Sequence, residues 1–551
     1  MHYNPTITCD GYKLGHRQQY PDNTTLVFSN FTPRSGKYAN VTDKSGVIFA
    51  GLQYFILEHL IDAWDVEFFR RPKHEVIARY KRRLDNYLGK DAVPIDGMEA
   101  LHDLGYLPIA INAVNEGDFV PTGVAAMTIY STKPEFYWLT NYLETVISCY
   151  LWLPCTSATT AANYRQLLDK YAELTGSPKA FVDFQAHDFS FRGMSSLQSA
   201  MKSGAAHLLF FKGTDTLPAI DLLEDYYGAD SDNELVGVSV PASEHAVMSA
   251  GGEADELETF RRLILKVYPK GIVSIVSDTW DFFRVITEYA KTLHQEIMSR
   301  DGKLVFRPDS GVPEDIICGN AKIVSKVPGT RTMNEFDGYD EIYDASDDYE
   351  YVICGDSAYK VEKHFDNQYG ETSVWVEIGN PEPIRPEHKG AVQCLWEIFG
   401  GTTTETGHKL LDPHVGLIYG DSITYKRASE IMERLHAKGF ASANVVLGIG
   451  SYTYQLVSRD TWGWAIKATY CVVDGQPRNI FKKPKTDDGT KNSATGLLFV
   501  HRDEAGRITT MEQGVSWERF KSSDNALQPV FRDGQLLRRH TLAEIRERVS
   551  K

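Results

Sequence analysis

From about residue 181 to residue 460 the chain repeats one unit: a short apolar run, a loop of small or polar residues, then a helical pattern. Phe181-Val-Asp-Phe184, His207-Leu-Leu-Phe-Phe211, Val236-Gly-Val-Ser-Val240, Ile272-Val-Ser-Ile-Val276, Lys303-Leu-Val-Phe-Arg307, Val415-Gly-Leu-Ile-Tyr419 and Asn444-Val-Val-Leu-Gly-Ile449 are the runs. Helices are predicted over Ser195–Ser203, Asp255–Tyr268 and Trp280–Arg300, near Ala246, and between residues 419 and 444. Repeated strand-loop-helix units predict an α/β fold with a parallel sheet, curled into an irregular barrel. Such a sheet collects the carboxyl ends of its strands on one rim, where ligands bind.

The flanks read differently. Leu26–Phe31, Leu107–Asn112 and Ala125–Tyr130 alternate as strands, and Val47–Asp62 has apolar residues at helical spacing. Residues 69–90 form a basic, solvated helix, and Pro134–Ala172 is helical with a core-like face. Trp464–Val473 and Gly496–Val500 return to strands, and Leu542–Val549 closes as a helix. A β-rich domain built from the N-terminal and C-terminal segments is therefore expected. The expected organisation is 1–150 helical and β-rich, 151–311 first part of the barrel, 312–410 an acidic inserted subdomain, 411–460 the remainder of the barrel, and 461–551 the β-rich end. Within the insertion Tyr351–Cys354 and Val374–Ile378 are strand candidates, and the acids from Asp337 to Glu350 read as a solvated face.

Composition excludes some functions. A net charge of −16 with no long basic stripe argues against nucleic-acid binding. The seven cysteines are odd in number, with no pair at metal-ligand spacing, which fits free thiols in a reducing compartment. The amino-terminal stretch has no apolar signal core and no run is long enough for a bilayer, so a cytoplasmic protein is expected.

The predicted rim carries Arg192, Asp215, His245, Asp278, Arg307 with Asp309, Asp421, and the turn Gly448-Ile-Gly450-Ser451. Any one of these has an ordinary structural reading, and the histidine ending Val236–His245 is no exception; the whole set on successive strands points to a site. Arginine presents a fixed fork of donors suited to phosphate. Backbone amides at Gly450 and Ser451 suit a terminal phosphate, and Asp309 and Asp421 suit sugar hydroxyls. Phosphate, sugar and diphosphate together describe a phosphoribosyl donor. No zinc motif, serine-nucleophile elbow or complete dinucleotide fingerprint competes.

At these residues the sequence resembles the nicotinamide phosphoribosyltransferase family of dimeric type II phosphoribosyltransferases. Asp10-Gly-Tyr-Lys13, Gly51-Leu-Gln-Tyr54, Ala113-Val-Asn-Glu-Gly117, Tyr137-Trp-Leu-Thr-Asn141 and Asp188-Phe-Ser-Phe-Arg-Gly-Met-Ser-Ser196 carry the resemblance. It continues through Phe211-Lys-Gly-Thr-Asp-Thr216, Ser239-Val-Pro-Ala-Ser-Glu-His245, Val276-Ser-Asp278, Arg307-Pro-Asp-Ser-Gly311, Gly420-Asp421 and Ser458-Arg-Asp460. It covers nearly all the chain except about 312–410.

The resemblance implies transfer of phosphoribosyl from 5-phosphoribosyl 1-pyrophosphate to nicotinamide, assisted by magnesium held mainly by pyrophosphate. It places nicotinamide between Phe189 and a Tyr12 from the partner subunit, with Asp215 accepting from the carboxamide and Arg307 also in contact. It assigns Arg192, Ser239, His245, Arg307, Pro308, Asp309, Gly420, Asp421, Gly450, Ser451 and Arg459 to ribose, phosphate and pyrophosphate. Arg34, Lys37, Lys482 and Lys491 are further cations for phosphates or plain surface charges. It also implies that ATP phosphorylates His245, with Asp278 orienting the imidazole and Glu244 either assisting or lying idle at the surface. Ser190 and Ser451 stand where the family often has glycine. Two alternatives stay open: a nicotinate enzyme on the same fold, and a non-catalytic nucleotide-binding protein.

Overall fold

The computed structural model describes residues 3–327, 339–368, 371–481 and 494–551. The chain divides into two units, one of Met1–Tyr164, Ser190–Gly237 and Thr453–Lys551, the other of Arg165–Phe189 and Val238–Tyr452.

The first unit is built on an antiparallel sheet that joins the two ends of the chain. Its strands lie in the order Gln476–Asn479, Ala465–Val473, Thr24–Thr32, Met127–Ser131, Ile109–Ala113, Gln528–Arg532, Gln535–Leu536. Thr24–Thr32 pairs with Ala465–Val473 so that Phe31 sits opposite Ile466. The Phe31 ring stacks on Trp464 with centroids 4.3 Å apart. The β-rich part expected from terminal segments is thus present. The closing helix Leu542–Val549 starts in a capping box, with Thr541 and Glu544 satisfying each other's amides. Its Leu542 and Ile545 are buried in a cluster with Leu222, Leu223 and Tyr227.

The second unit carries the parallel sheet, curled as a half-barrel. Ala186–Asp188, Val445–Ile449, Val415–Tyr419, Asp301–Arg307 and Lys270–Val276 lie side by side in that order. Every neighbouring pair among them is parallel. Between two of these strands runs the helix Tyr425–Ala437, which buries Ala428, Ile431, Met432 and Leu435, one face at helical spacing. Asp301–Arg307 is the direct neighbour of Val415–Tyr419, so the long segment between them leaves the sheet register untouched. That segment forms its own four-stranded sheet of Ala321–Ile323, Tyr351–Cys354, Ser357–Gln368 and Glu371–Pro383. Val324, Ile342, Val352, Val361 and Val376 close a small core beneath it.

Four expected elements differ. Val47–Asp62 is not one helix: Gly46–Ile48 is a strand and the helix begins at Leu52. Glu116 sets that start, its carboxylate accepting from the Gly51 and Gln53 amides at 2.6 Å each. Phe181–Phe184 is helical turn, and the strand is Ala186–Asp188. His207–Phe211 is the end of the helix Leu197–His207 and the turn after it. An apolar run that short does not separate a strand from a buried helix end. Val236–Val240 forms no ladder strand: Val238 carries an isolated bridge, and just beyond the run Ala242 bridges in parallel to Ser274. Pro241, which has no amide to donate, accepts from Ser274 through its carbonyl instead.

Candidate active site

In the second unit the parallel register brings one end of every strand to the same rim. Phe189 follows Asp188, Asp278 lies two residues past Val276, and Arg307-Pro-Asp-Ser-Gly311 leaves its strand. Gly420 and Asp421 follow Tyr419, Gly450 and Ser451 follow Ile449, and His245 opens the short helix His245–Ser249.

His245, Asp309 and Ser310 cluster around Asp278. Its Oδ1 lies 3.0 Å from His245 Nε2. Its Oδ2 accepts from the Asp309 amide at 2.9 Å and from the Ser310 hydroxyl at 2.5 Å. Burial pushes the Asp278 carboxyl up, but Ser310, the Asp309 amide and His245 together hold it below the usual carboxylate range. The carboxylate is therefore ionised and can only accept. His245 Nε2 must donate to it, which leaves Nδ1 of a neutral imidazole with its lone pair available.

Arg307 donates from Nη2 to the Ser243 carbonyl at 2.8 Å, and its Nε stands 3.6 Å from Asp309 Oδ1. Asp309 Oδ1 is buried without a hydrogen-bond partner. Burial raises the Asp309 carboxyl, Arg307 opposes this, and Asp278 and Asp421 add to it. Gly420 makes room for that carboxylate: a Cβ there would lie 1.9 Å from Asp309 Oδ1. The Gly420 amide also donates to the Pro308 carbonyl at 3.1 Å, and the Tyr419 hydroxyl to the Gly311 carbonyl at 3.1 Å. The Phe189 ring lies against Gly448, where a Cβ would come within 2.7 Å of it. The Phe189 amide is anchored on the Ile449 carbonyl at 2.9 Å. Ser239 is exposed on the extended segment leading to Ala242. Glu244 is the exposed residue before the His245 helix and makes no side-chain cap.

The remaining predicted residues belong to the first unit. Asp215 is exposed after the short strand Gly213–Thr214, and Arg192 is exposed on the turn Phe191–Gly193. Tyr12 is 62% exposed. Arg34 donates to the Gly463 carbonyl at 2.8 Å, and Lys37 is exposed. Arg459 pairs with Asp460 at 3.2 Å and lines a pocket of about 280 Å³ with Asp10, Glu144 and Lys467. Lys482 and Lys491 lie outside the described residues. Sequence reasoning missed Ser243, Ser310, Tyr419, Lys467 and Ser277, whose hydroxyl accepts from the Arg307 amide at 3.3 Å. Loop serines carry no periodic signal, and only the lysine's place in an otherwise apolar strand could have marked it.

A nicotinate phosphoribosyltransferase family model matches residues 184–534, and a model of the nicotinamide phosphoribosyltransferase N-terminal domain matches residues 4–67. A nicotinamide phosphoribosyltransferase of Acinetobacter baylyi is 46% identical over 558 aligned residues, covering all of this chain and 97% of that one. One from Xanthomonas campestris pv. campestris is 31% identical, covering 99% of this chain and 98% of that one. The crystal structure of nicotinate-nucleotide pyrophosphorylase from Pyrococcus furiosus shares the fold, with a TM-score of 0.50, 13% identity, and coverage of 99% of this chain and 94% of that one. The family model and the relatives together define an enzyme of the phosphoribosyltransferase class. Within that class the chain belongs to the nicotinamide phosphoribosyltransferase family.

Proposed function

We propose that the enzyme transfers 5-phosphoribosyl from 5-phosphoribosyl 1-pyrophosphate to nicotinamide in NAD salvage, releasing nicotinamide mononucleotide and pyrophosphate. The 46% identity to a full-length nicotinamide phosphoribosyltransferase carries this reading. Asp215 favours the amide over the acid, because its carboxylate accepts from a carboxamide and repels a carboxylate of like charge. Phe189, packed on Gly448, offers a flat face to the pyridine ring. Tyr12 from a second subunit covers the other face in a homodimer.

The residues suit the charges of the reaction. As the bond from ribose to pyrophosphate breaks, the anomeric carbon gains positive character and the leaving group gains negative charge. Arg192 and Arg307 stabilise the leaving group, while Gly450, Ser451 and Arg459 hold the 5′-phosphate. Asp309, Pro308, Gly420 and Asp421 form the ribose side of the rim. The pyridine nitrogen carries no proton, so its attack needs no base and positioning dominates. Among the described residues no three His, Cys, Asp or Glu side chains converge as a metal cage. A magnesium ion would be held mainly by the pyrophosphate, and Asp309 could offer it the buried Oδ1 that accepts no hydrogen bond. When bound, the ion would neutralise charge on the leaving group.

His245 has a separate task. ATP transfers its terminal phosphoryl to Nδ1, ADP leaves, and the phosphoenzyme turns over substrate more favourably. The geometry that supports this is the donation from Nε2 to Asp278, which keeps the Nδ1 lone pair available. All seven cysteines are free, which suits a reducing, cytoplasmic site of action; no described helix is long and apolar enough to cross a membrane. His245→Ala should abolish stimulation by ATP while retaining some unstimulated transfer; equal stimulation of the variant would sink the phosphohistidine. Asp215→Ser should relax discrimination against nicotinate by roughly tenfold or more. Unchanged selectivity would remove Asp215 from its role.

A further inference from the structure

The Asp278 carboxylate faces two ways, and the second way has no part in ribosyl transfer or in phosphorylation as described above. Oδ1 meets His245, on a segment bridged to one edge of the Lys270–Val276 strand. Oδ2 meets the Asp309 amide and the Ser310 hydroxyl, on the loop leaving the strand along the other edge. The Asp278 side chain is only 5% exposed, whereas that of His245 is 49% exposed. One buried carboxylate therefore joins a solvent-facing imidazole to the loop that carries Arg307 and Asp309.

Of the two donors to Oδ2, the Asp309 amide is fixed by the backbone and the Ser310 hydroxyl is a free rotor. A hydroxyl donating to a carboxylate at 2.5 Å is of the short, charge-assisted kind, about twice as strong as a neutral hydrogen bond. With the Asp309 amide it holds Oδ2, and so bears on the rotation of the carboxylate and the direction of Oδ1 toward His245. The loop it stands on is clamped from behind by the Tyr419 hydroxyl on Gly311 and the Gly420 amide on Pro308. Ser310 thus presents its hydroxyl from a fixed backbone.

We infer that Ser310 is a positioning residue that locks the Asp278 carboxylate, fixes the Nε2–H tautomer of His245, and links the state of His245 to the Arg307–Gly311 loop. The inference rests on the His245–Asp278 reading above. Phosphorylation at Nδ1 turns the ring into a stronger donor at Nε2 and draws Oδ1 toward it. The same rigid carboxylate then shifts its hold on the Asp309 amide, so the change at His245 is felt where the phosphoribosyl donor binds.

The test uses the full-length enzyme as Ser310→Ala, Ser310→Thr and Asp278→Asn. Nitrogen-15 spectra of the His245 ring report its tautomer without ATP. The ratio of kcat/KM for 5-phosphoribosyl 1-pyrophosphate with and without ATP reports the coupling. Wild type should hold the Nε2–H tautomer. Ser310→Ala should give a tautomer mixture and an ATP ratio about tenfold smaller, the scale of a hydrogen bond to a charged group. Ser310→Thr, which keeps the hydroxyl, should restore both. Ser310→Ala with a wild-type tautomer and ratio, beside an altered Asp278→Asn, would overturn the role of Ser310 alone. An unaltered tautomer in Asp278→Asn would instead overturn the His245–Asp278 pairing on which it rests.

Discussion

Gly420 shows how tightly single atoms set this rim. Any side chain there would push into Asp309 Oδ1, and the Asp309 carboxylate would have to move to admit it. Gly420→Ala should lower kcat/KM for the phosphoribosyl donor by roughly 100-fold, the usual effect of misplacing a contact by about 1 Å. Steady-state kinetics at saturating nicotinamide would show it, and a value near wild type would contradict the assigned place of Asp309. Asp278 adds a pH signature. Its folded carboxyl is held below the ordinary value, so its contribution to stability is complete above about pH 4 and lost as pH falls through the folded value. The thermal midpoint of wild type should exceed that of Asp278→Asn at neutral pH and converge with it in acid. At this scale the sequence made His245, Asp278, Arg307 and Asp309 visible because they end apolar runs. Ser310, Ser243 and Ser277 stayed hidden because their partners are set by the meeting of neighbouring strand ends, which no local pattern encodes.

Among elements, the helix Glu256–Arg262 carries a second titration. Glu256 is 2% exposed, its Oε1 has no hydrogen-bond partner, and burial raises its carboxyl to about 7. Tyr289, Arg284, Glu253 and Asp281 are the groups around it. The folded protein keeps a proton that the unfolded chain has released from about pH 4.3 upward, so stability falls as pH rises toward 7. Glu256→Gln should flatten that fall, and parallel pH profiles of the thermal midpoint in variant and wild type would contradict it. The strand ladders of the second unit were legible at this scale, because Ile272–Val276, Lys303–Arg307 and Val415–Tyr419 are long enough to carry the signal. Val236–Val240 misled because only Val236 of the run is buried, while Gly237 closes against Thr214 and Ile220 and Val238 is exposed.

At the scale of the whole molecule, the chain assigns chemistry and stability to different places. The closing helix serves stability: Ile545→Ala should cost about 2–5 kcal/mol, as for a buried aliphatic truncation, and leave base selectivity unchanged. Denaturant unfolding beside a selectivity assay would separate the two effects. The antiparallel sheet that unites distant chain ends was only half legible, since alternation marks strands but not which of them pair across 400 residues. The acidic segment interrupts the parallel strands in sequence without interrupting their pairing, which is why the rim could be read across it.

The choice of base is the most direct measure of the account. Purified enzyme with magnesium and 5-phosphoribosyl 1-pyrophosphate would be given nicotinamide or nicotinate, each with and without ATP, and the mononucleotide products separated. Nicotinamide mononucleotide should form preferentially, and faster with ATP present. Mononucleotide from nicotinate alone, or from neither base, would contradict it.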